Sequence, residues 1–331
     1  MVNYTPSDAT RWTGRVDDPE ARDAFRWHQV IQCLNLSAPV KKPTGLNHGF
    51  CFLGYCCDHG VKLNLGRTGA AGGPEAIRGQ LANMPVNFPK TVGLFDGGDI
   101  QCLNGDLESA GRTLTEAVKR ILDLSLFPIV LGGGHDLAYG HFGGIMKHFP
   151  KSSRLGILNF DAHFDLRPLR PAATSGTMFT QIAENCQKEG ISFSYFCVGI
   201  QKSANTANLF KVAEMLGVET VLAKEVDDSN LELVKQKMDT FIAGNDAIYV
   251  TICADVFSSA FSPGVSSPQP FGLHPETVLF LLKHVLESGK VVSFDIAEVS
   301  PRFDSDDHTA KLAAVIIYAL VNALTQSGSW E

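Results

Sequence analysis

Short apolar runs alternate with amphipathic stretches along most of this chain. Runs rich in Val, Ile, Leu and Phe, each about as long as one strand, occur at residues 50–55, 91–95, 127–131, 155–160, 193–198, 247–252 and 290–294. Stretches with helical periodicity lie at residues 73–84, 107–124, 137–148, 177–186, 208–216, 231–243, 275–287 and 309–325. Unbroken apolar strands separated by helices are typical of a parallel sheet covered on both faces. The pattern therefore predicts an α/β fold with a mainly parallel central sheet.

The first 45 residues differ from this pattern. A helical stretch is predicted at about residues 18–32, and a connector containing Pro39 and Pro43 follows it. We interpret residues 1–45 as an N-terminal extension that packs on a single domain, so that residues 1–331 form one unit.

Composition and charge indicate which kinds of molecule the chain can bind. The chain is 44% hydrophobic and 19% charged, with a formal net charge of −7, which would repel nucleic acid and anionic membranes. The polar first 15 residues do not predict a signal peptide, and no apolar run reaches the roughly 18 residues of a membrane span. The eight cysteines have no regular spacing, which favours a reducing compartment. We expect a cytoplasmic protein that acts on a small molecule, without nucleic-acid or membrane partners.

Polar clusters follow four of the predicted strands. They contain His135 after the third strand, Asp161, His163 and Asp165 after the fourth, Cys253 and Asp255 after the sixth, and Asp295 and Glu298 after the seventh. In a parallel sheet, the loops that follow the strands meet at one edge.

So many carboxylates at one edge require a neutralising charge. Like charges at close range do not all remain ionised unless a cation lies between them. Oxygen ligands with two imidazoles suit Mn²⁺, with Zn²⁺ or Fe²⁺ as alternatives. Each residue also has a structural interpretation when taken alone, since His135 or Asp255 could cap a helix. The coincidence of four clusters favours metal binding.

Several of these segments resemble the signature motifs of ureohydrolases, the family of arginases, agmatinases and formimidoylglutamases. They are residues 133–136, 161–165, 262–268 and 295–299. Residues 12–17, 58–61, 64–74, 97–100 and 175–179 look most like the formimidoylglutamase members. The resemblance extends from about residue 12 to the last helix. It implies a three-layer α/β/α sandwich that assembles into a homo-oligomer, a trimer or a hexamer.

The resemblance also implies a centre of two Mn²⁺ ions per subunit. His135, Asp161, Asp165 and residue 253 would hold one ion, and Asp161, His163, residue 253 and Asp255 would hold the other, with Asp161 and residue 253 bridging. Arginases have Asp at the position of Cys253. A thiolate can bind a metal ion but is softer than Mn²⁺ prefers, and a buried structural cysteine is the alternative.

The activity implied by the resemblance is hydrolysis of N-formimidoyl-L-glutamate to L-glutamate and formamide, a step of histidine degradation. Glu298 would accept hydrogen bonds from the amidine, and Asp165 would carry a proton to the leaving amine. Arg167 would bind a substrate carboxylate, and Asp295 would orient a histidine ligand. Phe179 stands where arginases have a proton-shuttling histidine, which argues against arginase activity.

Two other interpretations stay open at this point. The chain could hydrolyse another guanidino or amidino compound, as agmatinases and arginases do, although agmatine has no carboxylate to pair with Arg167. It could also be a metal-poor, non-catalytic ureohydrolase-like protein, because Cys253 departs from the arginase pattern.

Overall fold

One ten-stranded sheet runs through the described part of the chain, which comprises residues 1–169, 172–227 and 229–325 of a computed structural model. Its strands are β1 (Tyr4–Thr5), β2 (Gln32–Cys33), β3 (His48–Cys56), β4 (Val92–Gln101), β5 (Phe127–Leu131), β6 (Leu155–Phe160), β7 (Ser194–Ile200), β8 (Glu219–Leu222), β9 (Ala247–Cys253) and β10 (Val291–Ala297). Their order is β1-β4-β3-β5-β10-β9-β6-β7-β8, and β2 also pairs with β4. All these pairings are parallel except β1 with β4.

Helices cover both faces of the sheet. They are α1 (His59–Leu63), α2 (Gly73–Leu81), α3 (Leu107–Asp123), α4 (Leu137–His148), α5 (Met178–Glu189), α6 (Ala207–Met215), α7 (Leu231–Gly244), α8 (Pro275–Glu287) and α9 (His308–Thr325). Buried side chains of α2, α7, α8 and α9 belong to one hydrophobic core, and those of α3, α4, α5 and α6 belong to a second core. The predicted three-layer α/β/α sandwich is confirmed.

Successive strand residues contribute to opposite cores. Phe52 belongs to the first core and Leu53 to the second, as expected for the two-residue period of a strand. Because both faces are buried, neither set of positions can be polar without a partner. This explains why the strands read as continuous apolar runs in the sequence.

The predicted helix at residues 18–32 is wrong. This segment contains two single 3-10 turns, Arg22–Ala24 and Trp27–Gln29, and ends in β2. The backbone N–H of Trp27 donates to the carbonyl of Met84 at 2.8 Å, and that of His28 donates to Ala82. Trp27 is fully buried in the first core. Bonds to the segment after α2 therefore replace the i to i−4 bonds that a helix would need.

The N-terminal residues also join the sheet. β1 pairs with β4, and the indole N–H of Trp12 donates to Asp96 of β4 at 2.7 Å. The fully buried Arg78 of α2 links Asp96 at 3.0 Å and Asp99 at 2.7 Å. A buried charged network thus ties the extension to β4 and α2.

Helix α9 is long and apolar enough, by length and composition alone, to cross a membrane. More than half of it is buried inside the protein, where it packs against α2 and α8. Burial of this kind is expected of a helix that packs in the core of an α/β/α sandwich.

The four strands that precede the polar clusters are neighbours. They occupy consecutive places in the sheet, in the order β5, β10, β9 and β6. Their carboxyl ends therefore deliver the predicted site residues to one short stretch of sheet edge.

Candidate metal centre

His135 lies in the turn between β5 and α4, and its side chain is 1% exposed. Its Nδ1 atom is 3.0 Å from Oδ2 of Asp161 and 3.2 Å from Oδ2 of Asp165. Despite burial, these two carboxylates raise the pKa of His135 well above its ordinary value. The surroundings therefore favour a positive charge at this nitrogen, either a proton or a metal ion.

Asp161 occupies the middle of the site. It follows β6 directly and is fully buried, with one carboxylate oxygen toward His135 and the other 3.5 Å from Nδ1 of His163. Burial alone would raise the pKa of Asp161, but the two imidazoles lower it below its ordinary value. The backbone N–H of His163 also donates to this carboxylate at 2.8 Å. Asp161 is thus placed as a shared ligand.

The site has two halves that share Asp161. His135 and Asp165 lie in the first half, and His163 and Asp255 lie in the second half. Nδ1 of His163 is 3.1 Å from Oδ2 of Asp255, which lies in the 3-10 turn after β9. The ligand atoms of Asp161, His163 and Asp255 all lie within 4.8 Å of one another. These three side chains share one neighbourhood, as the predicted second ion position requires.

Cys253, the last residue of β9, belongs to the first half. Its sulfur and the ligand atoms of His135 and Asp161 lie within 4.8 Å of one another. Burial, together with the surrounding carboxylates, raises the pKa of this thiol well above its ordinary value. The geometry groups Cys253 with one ion position, while the bridging role predicted for residue 253 stays a prediction.

Glu298 and Asp165 adopt left-handed backbone conformations, with φ of 65° and 50°. One carboxylate oxygen of Glu298 accepts the backbone N–H of His135 at 3.0 Å, and burial raises the pKa of Glu298 to about 8. Burial and the neighbouring Asp161 raise the pKa of Asp165 to about 6. Such strained positions on non-glycine residues cluster at functional sites.

Asp295 lies within β10 rather than after it, and it faces away from the cavity. It accepts a hydrogen bond from the Thr251 hydroxyl at 2.5 Å, contacts the Tyr249 hydroxyl, and lies 2.6 Å from Nδ1 of His141. The Thr251 oxygen is in turn 2.9 Å from Nε2 of His135. Asp295 is thus connected to His135 through Thr251, while its role in orienting a histidine ligand stays a prediction.

A cavity of about 280 Å³ opens onto the site. Its lining includes ligand candidates from both halves together with Glu298 and Arg167. The backbone N–H of Arg167 donates to the carbonyl of Gly176, and its exposed side chain lies at the cavity wall.

Phe179 does not line the cavity, because it is fully buried, stacked on Tyr195 and edge-on to His135. It supports the His135 ring.

Sequence reasoning missed several residues of this site. Thr251, Tyr249 and His141 form the buried network behind His135, and Asn64 and Ser175 line the cavity. Asn64 and Ser175 lie in segments that the family resemblance had already singled out. Thr251, Tyr249 and His141 gave no signal, because they lie inside β9 and α4 and not in the polar clusters that follow the strands.

Comparison with known proteins shows similarity to one protein family over most of the chain. The model of the arginase family matches residues 48–322. A formimidoylglutamase of Clostridium tetani is 48% identical over 329 residues, which cover 98% of this chain and 97% of that protein. A formimidoylglutamase of Geobacillus thermodenitrificans is 42% identical over 311 residues, with 94% of each chain covered.

Solved structures share the fold. The formimidoylglutamase of Bacillus subtilis superposes with a TM-score of 0.79 at 20% identity, covering 93% of this chain and 94% of that one. The formiminoglutamase of Trypanosoma cruzi with Mn²⁺ gives a TM-score of 0.76 at 24% identity, covering 88% and 96%. At 20% and 24% sequence identity, these similarities show a shared fold and nothing further.

Proposed function

This chain belongs to the arginase family, and we propose that it hydrolyses N-formimidoyl-L-glutamate to L-glutamate and formamide. The observation that carries the proposal is the position of Asp161 between two imidazoles, in a chain whose near full-length relatives are formimidoylglutamases. The oxygen of water bonds to the amidine carbon, the bond from that carbon to the α-nitrogen of glutamate breaks, and the α-nitrogen takes up a proton.

We propose two Mn²⁺ ions per subunit as cofactor. Two buried carboxylate oxygens at the site, Asp255 Oδ1 and Glu298 Oε2, make no hydrogen bond within the described residues, and Nδ1 of His135 faces two further carboxylate oxygens at 3.0 Å and 3.2 Å. Unpartnered buried polar atoms are costly, so their convergence fits bound cations and substrate. His135, Asp161, Asp165 and Cys253 would hold one ion, and Asp161, His163, Cys253 and Asp255 the other. Bound there, such ions supply a water of lowered pKa that is nucleophilic near neutral pH.

Glu298 is suited to hold the amidine. One of its oxygens is fixed by the His135 amide, which leaves the other for the substrate. A cationic amidinium beside it would favour the ionised carboxylate and gain a charge-assisted hydrogen bond. This contact orients the amidine carbon toward the ion-binding side chains.

Asp165 is suited to move a proton. The leaving α-amine of glutamate needs a proton as the carbon–nitrogen bond breaks, and Asp165, which lines the cavity beside the ligand candidates, is placed to deliver it. Its Oδ2 atom is 3.2 Å from Nδ1 of His135.

Arg167 is suited to select a substrate with a carboxylate. Its guanidinium has no carboxylate partner among the described residues, so its charge is available at the cavity wall. A planar fork of N–H donors matches a carboxylate in two-point contact. Agmatine has no carboxylate and would leave this charge unpaired.

A substrate panel tests the proposal. The purified full chain with Mn²⁺ should release formamide from N-formimidoyl-L-glutamate, with kcat/KM at least about tenfold above that for urea release from agmatine or arginine. Faster turnover of agmatine or arginine would contradict the assigned substrate. Elemental analysis of the same preparation tests the cofactor, because a metal-poor protein without activity would support a non-catalytic role instead.

A further inference from the structure

Cys253 brings a sulfur atom to an otherwise oxygen- and nitrogen-rich centre. It ends β9 and pairs with Ala297 of β10, so two central strands fix its backbone. Its side chain is 2% exposed, and its sulfur shares a 4.8 Å neighbourhood with the ligand atoms of His135 and Asp161.

A second buried cysteine nearby shows the contrast. Cys197 of β7 is also fully buried, but its sulfur is directed to the backbone carbonyl of His163 at 3.7 Å. It does not belong to either group of potential ligands within the described chain. Burial in this region therefore does not by itself bring a thiol to the ion positions, whereas the place of Cys253 at the end of β9 does.

We propose that Cys253 binds the cation held by His135 and Asp161 as a thiolate, and that it shifts the relative affinity of the centre from Mn²⁺ toward thiophilic divalent cations such as Cd²⁺ and Co²⁺. This inference rests on the proposed function in one respect, that the centre holds cations. Thiolate is a soft, polarisable ligand that favours such ions, whereas Mn²⁺ prefers carboxylate oxygen.

Aspartate at the same position isolates the effect of ligand softness. A thiolate and a carboxylate each contribute one negative charge, so Cys253→Asp leaves the charge of the ligand set unchanged. What changes is the donor atom, from one soft sulfur to hard oxygens. Changes outside the ligands commonly alter metal affinity by about 10–100-fold, so exchange of a ligand atom should alter the ratio of Cd²⁺ to Mn²⁺ affinity at least about tenfold.

The first measurement is spectroscopic. Metal-free full-length protein is titrated with Cd²⁺ or Co²⁺, and the ultraviolet charge-transfer band of a thiolate–metal bond is recorded. The wild type should develop the band with the first equivalent of ion. Cys253→Asp and Cys253→Ser should lack it, and the matched control Cys197→Ser should retain it, because that thiol is directed elsewhere.

The second measurement is competition. Wild type and Cys253→Asp are dialysed against equal concentrations of Mn²⁺ and Cd²⁺, and bound ions are counted by mass spectrometry. The bound Cd²⁺ to Mn²⁺ ratio should fall at least about tenfold in Cys253→Asp. Circular dichroism establishes that each variant is folded, and Cys253→Ser replaces Cys253→Asp if the latter is not.

The outcomes separate this inference from the proposed function. A wild type without a charge-transfer band, or a Cys253 variant that keeps the band or the ratio, overturns the role of Cys253. If the wild type shows the band and the shifted ratio but does not hydrolyse N-formimidoyl-L-glutamate, the proposed function fails and the role of Cys253 stands.

Discussion

The imidazole of His135 is fixed from the side that faces away from the cavity. Thr251 contacts its Nε2 at 2.9 Å and donates its own hydroxyl proton to Asp295, so the Thr251 oxygen accepts a proton from Nε2. This assigns the N–H of a neutral His135 to Nε2 and leaves the lone pair of Nδ1 facing Asp161. The chain of contacts therefore selects the tautomer that can bind a cation.

Removing the Thr251 hydroxyl should weaken cation binding. Thr251→Val keeps the shape of the side chain but leaves Nε2 of His135 and Asp295 without their shared partner. We expect Mn²⁺ affinity to fall by about 10–100-fold, measured by calorimetric titration of the metal-free protein. Thr251→Ser, which retains the hydroxyl, is the control and should bind nearly as well as the wild type. Equal affinities of all three proteins would contradict the assigned tautomer.

Arg167 should act on the substrate and not on the metal. In Arg167→Ala the charge at the cavity wall is lost while all ligand candidates remain. We expect KM for N-formimidoyl-L-glutamate to rise about 10–100-fold, the equivalent of a charged hydrogen bond, with a smaller effect on kcat. Steady-state kinetics and metal analysis of the same samples test this. A loss of bound metal in the variant would count against the role in substrate binding.

The raised pKa of Glu298 predicts a pH-dependent stability. Its ordinary value is 4.5 and its value in the folded protein is about 8, so its stabilising contribution is complete below about pH 4.5 and is lost as the pH rises through about 8. Glu298→Gln cannot ionise and should escape this loss. In metal-free protein, the unfolding free energy of the variant relative to wild type should therefore increase over that pH range.

Urea unfolding at several pH values with a chelator present measures the difference. Asp165 and Asp136, whose pKa values are raised to about 6 and about 7, are present in both proteins, so the difference between the curves reports Glu298 together with its interaction with Asp136. Parallel stability curves for the two proteins would show that Glu298 does not carry a raised pKa.

At the scale of elements, the regular part of the fold could be predicted because its signals are local. Helices such as α3 and α8 have their apolar periodicity within one segment, and their predicted and observed bounds agree within one residue. The strands β1, β2 and β8 have two to four residues and were missed, since so short a run has no recognisable pattern. The segment at residues 18–32 was predicted wrongly because bonds to distant residues decide its conformation.

The residues of the site likewise include some that could be predicted from the sequence and others that could not. The ligand candidates could be predicted because they follow strands in clusters, and a parallel sheet brings such clusters to one edge. The network of Thr251, Tyr249 and His141 could not, because it joins two residues of β9 to His141 of α4 and Asp295 of β10, and these elements meet only in the folded sheet. Grouping Cys253 with His135 and Asp161 likewise required distances.

The loop that carries His135 lies directly on the end of β3. A Cβ atom at Gly133 would lie 2.0 Å from the carbonyl oxygen of Cys57, which itself accepts the N–H of Gly134 at 2.8 Å. Gly133→Ala must therefore displace backbone, at a cost of about 1–3 kcal/mol, and should move His135 away from Asp161. We expect both lower stability and weaker Mn²⁺ binding, measured by thermal unfolding with and without the ion.

Gly79→Ala is the matched control for this substitution. Gly79 lies on the exposed side of α2, where an added Cβ meets nothing within 4 Å. Alanine there should stabilise the protein by about 0.4–1 kcal/mol and leave Mn²⁺ binding unchanged. If Gly133→Ala behaved like this control, the close contact between the loop and β3 would not position the site.

At the scale of the whole molecule, folding assembles a centre that the separate elements cannot form. The ligand candidates come from the ends of β5, β6 and β9, which are distant in sequence and adjacent or nearly adjacent in the sheet. Each buried carboxylate there was hydrated in the unfolded chain, so folding without a neutralising charge is costly. The homo-oligomer and the cytoplasmic location stay predictions.

Cation binding should therefore stabilise the entire fold. Because the centre exists only when the strands are paired, a cation binds the folded chain preferentially, and a concentration of 100 times Kd adds about 2.7 kcal/mol per site. Calorimetry of metal-free protein with increasing Mn²⁺ should show a rising unfolding temperature.

Asp161→Asn removes the carboxylate that both halves of the site share and should abolish most of this gain in stability. Asp246→Asn, at a half-exposed surface pair with Arg154, should retain it. An equal gain in both variants would place the stabilising ion away from Asp161.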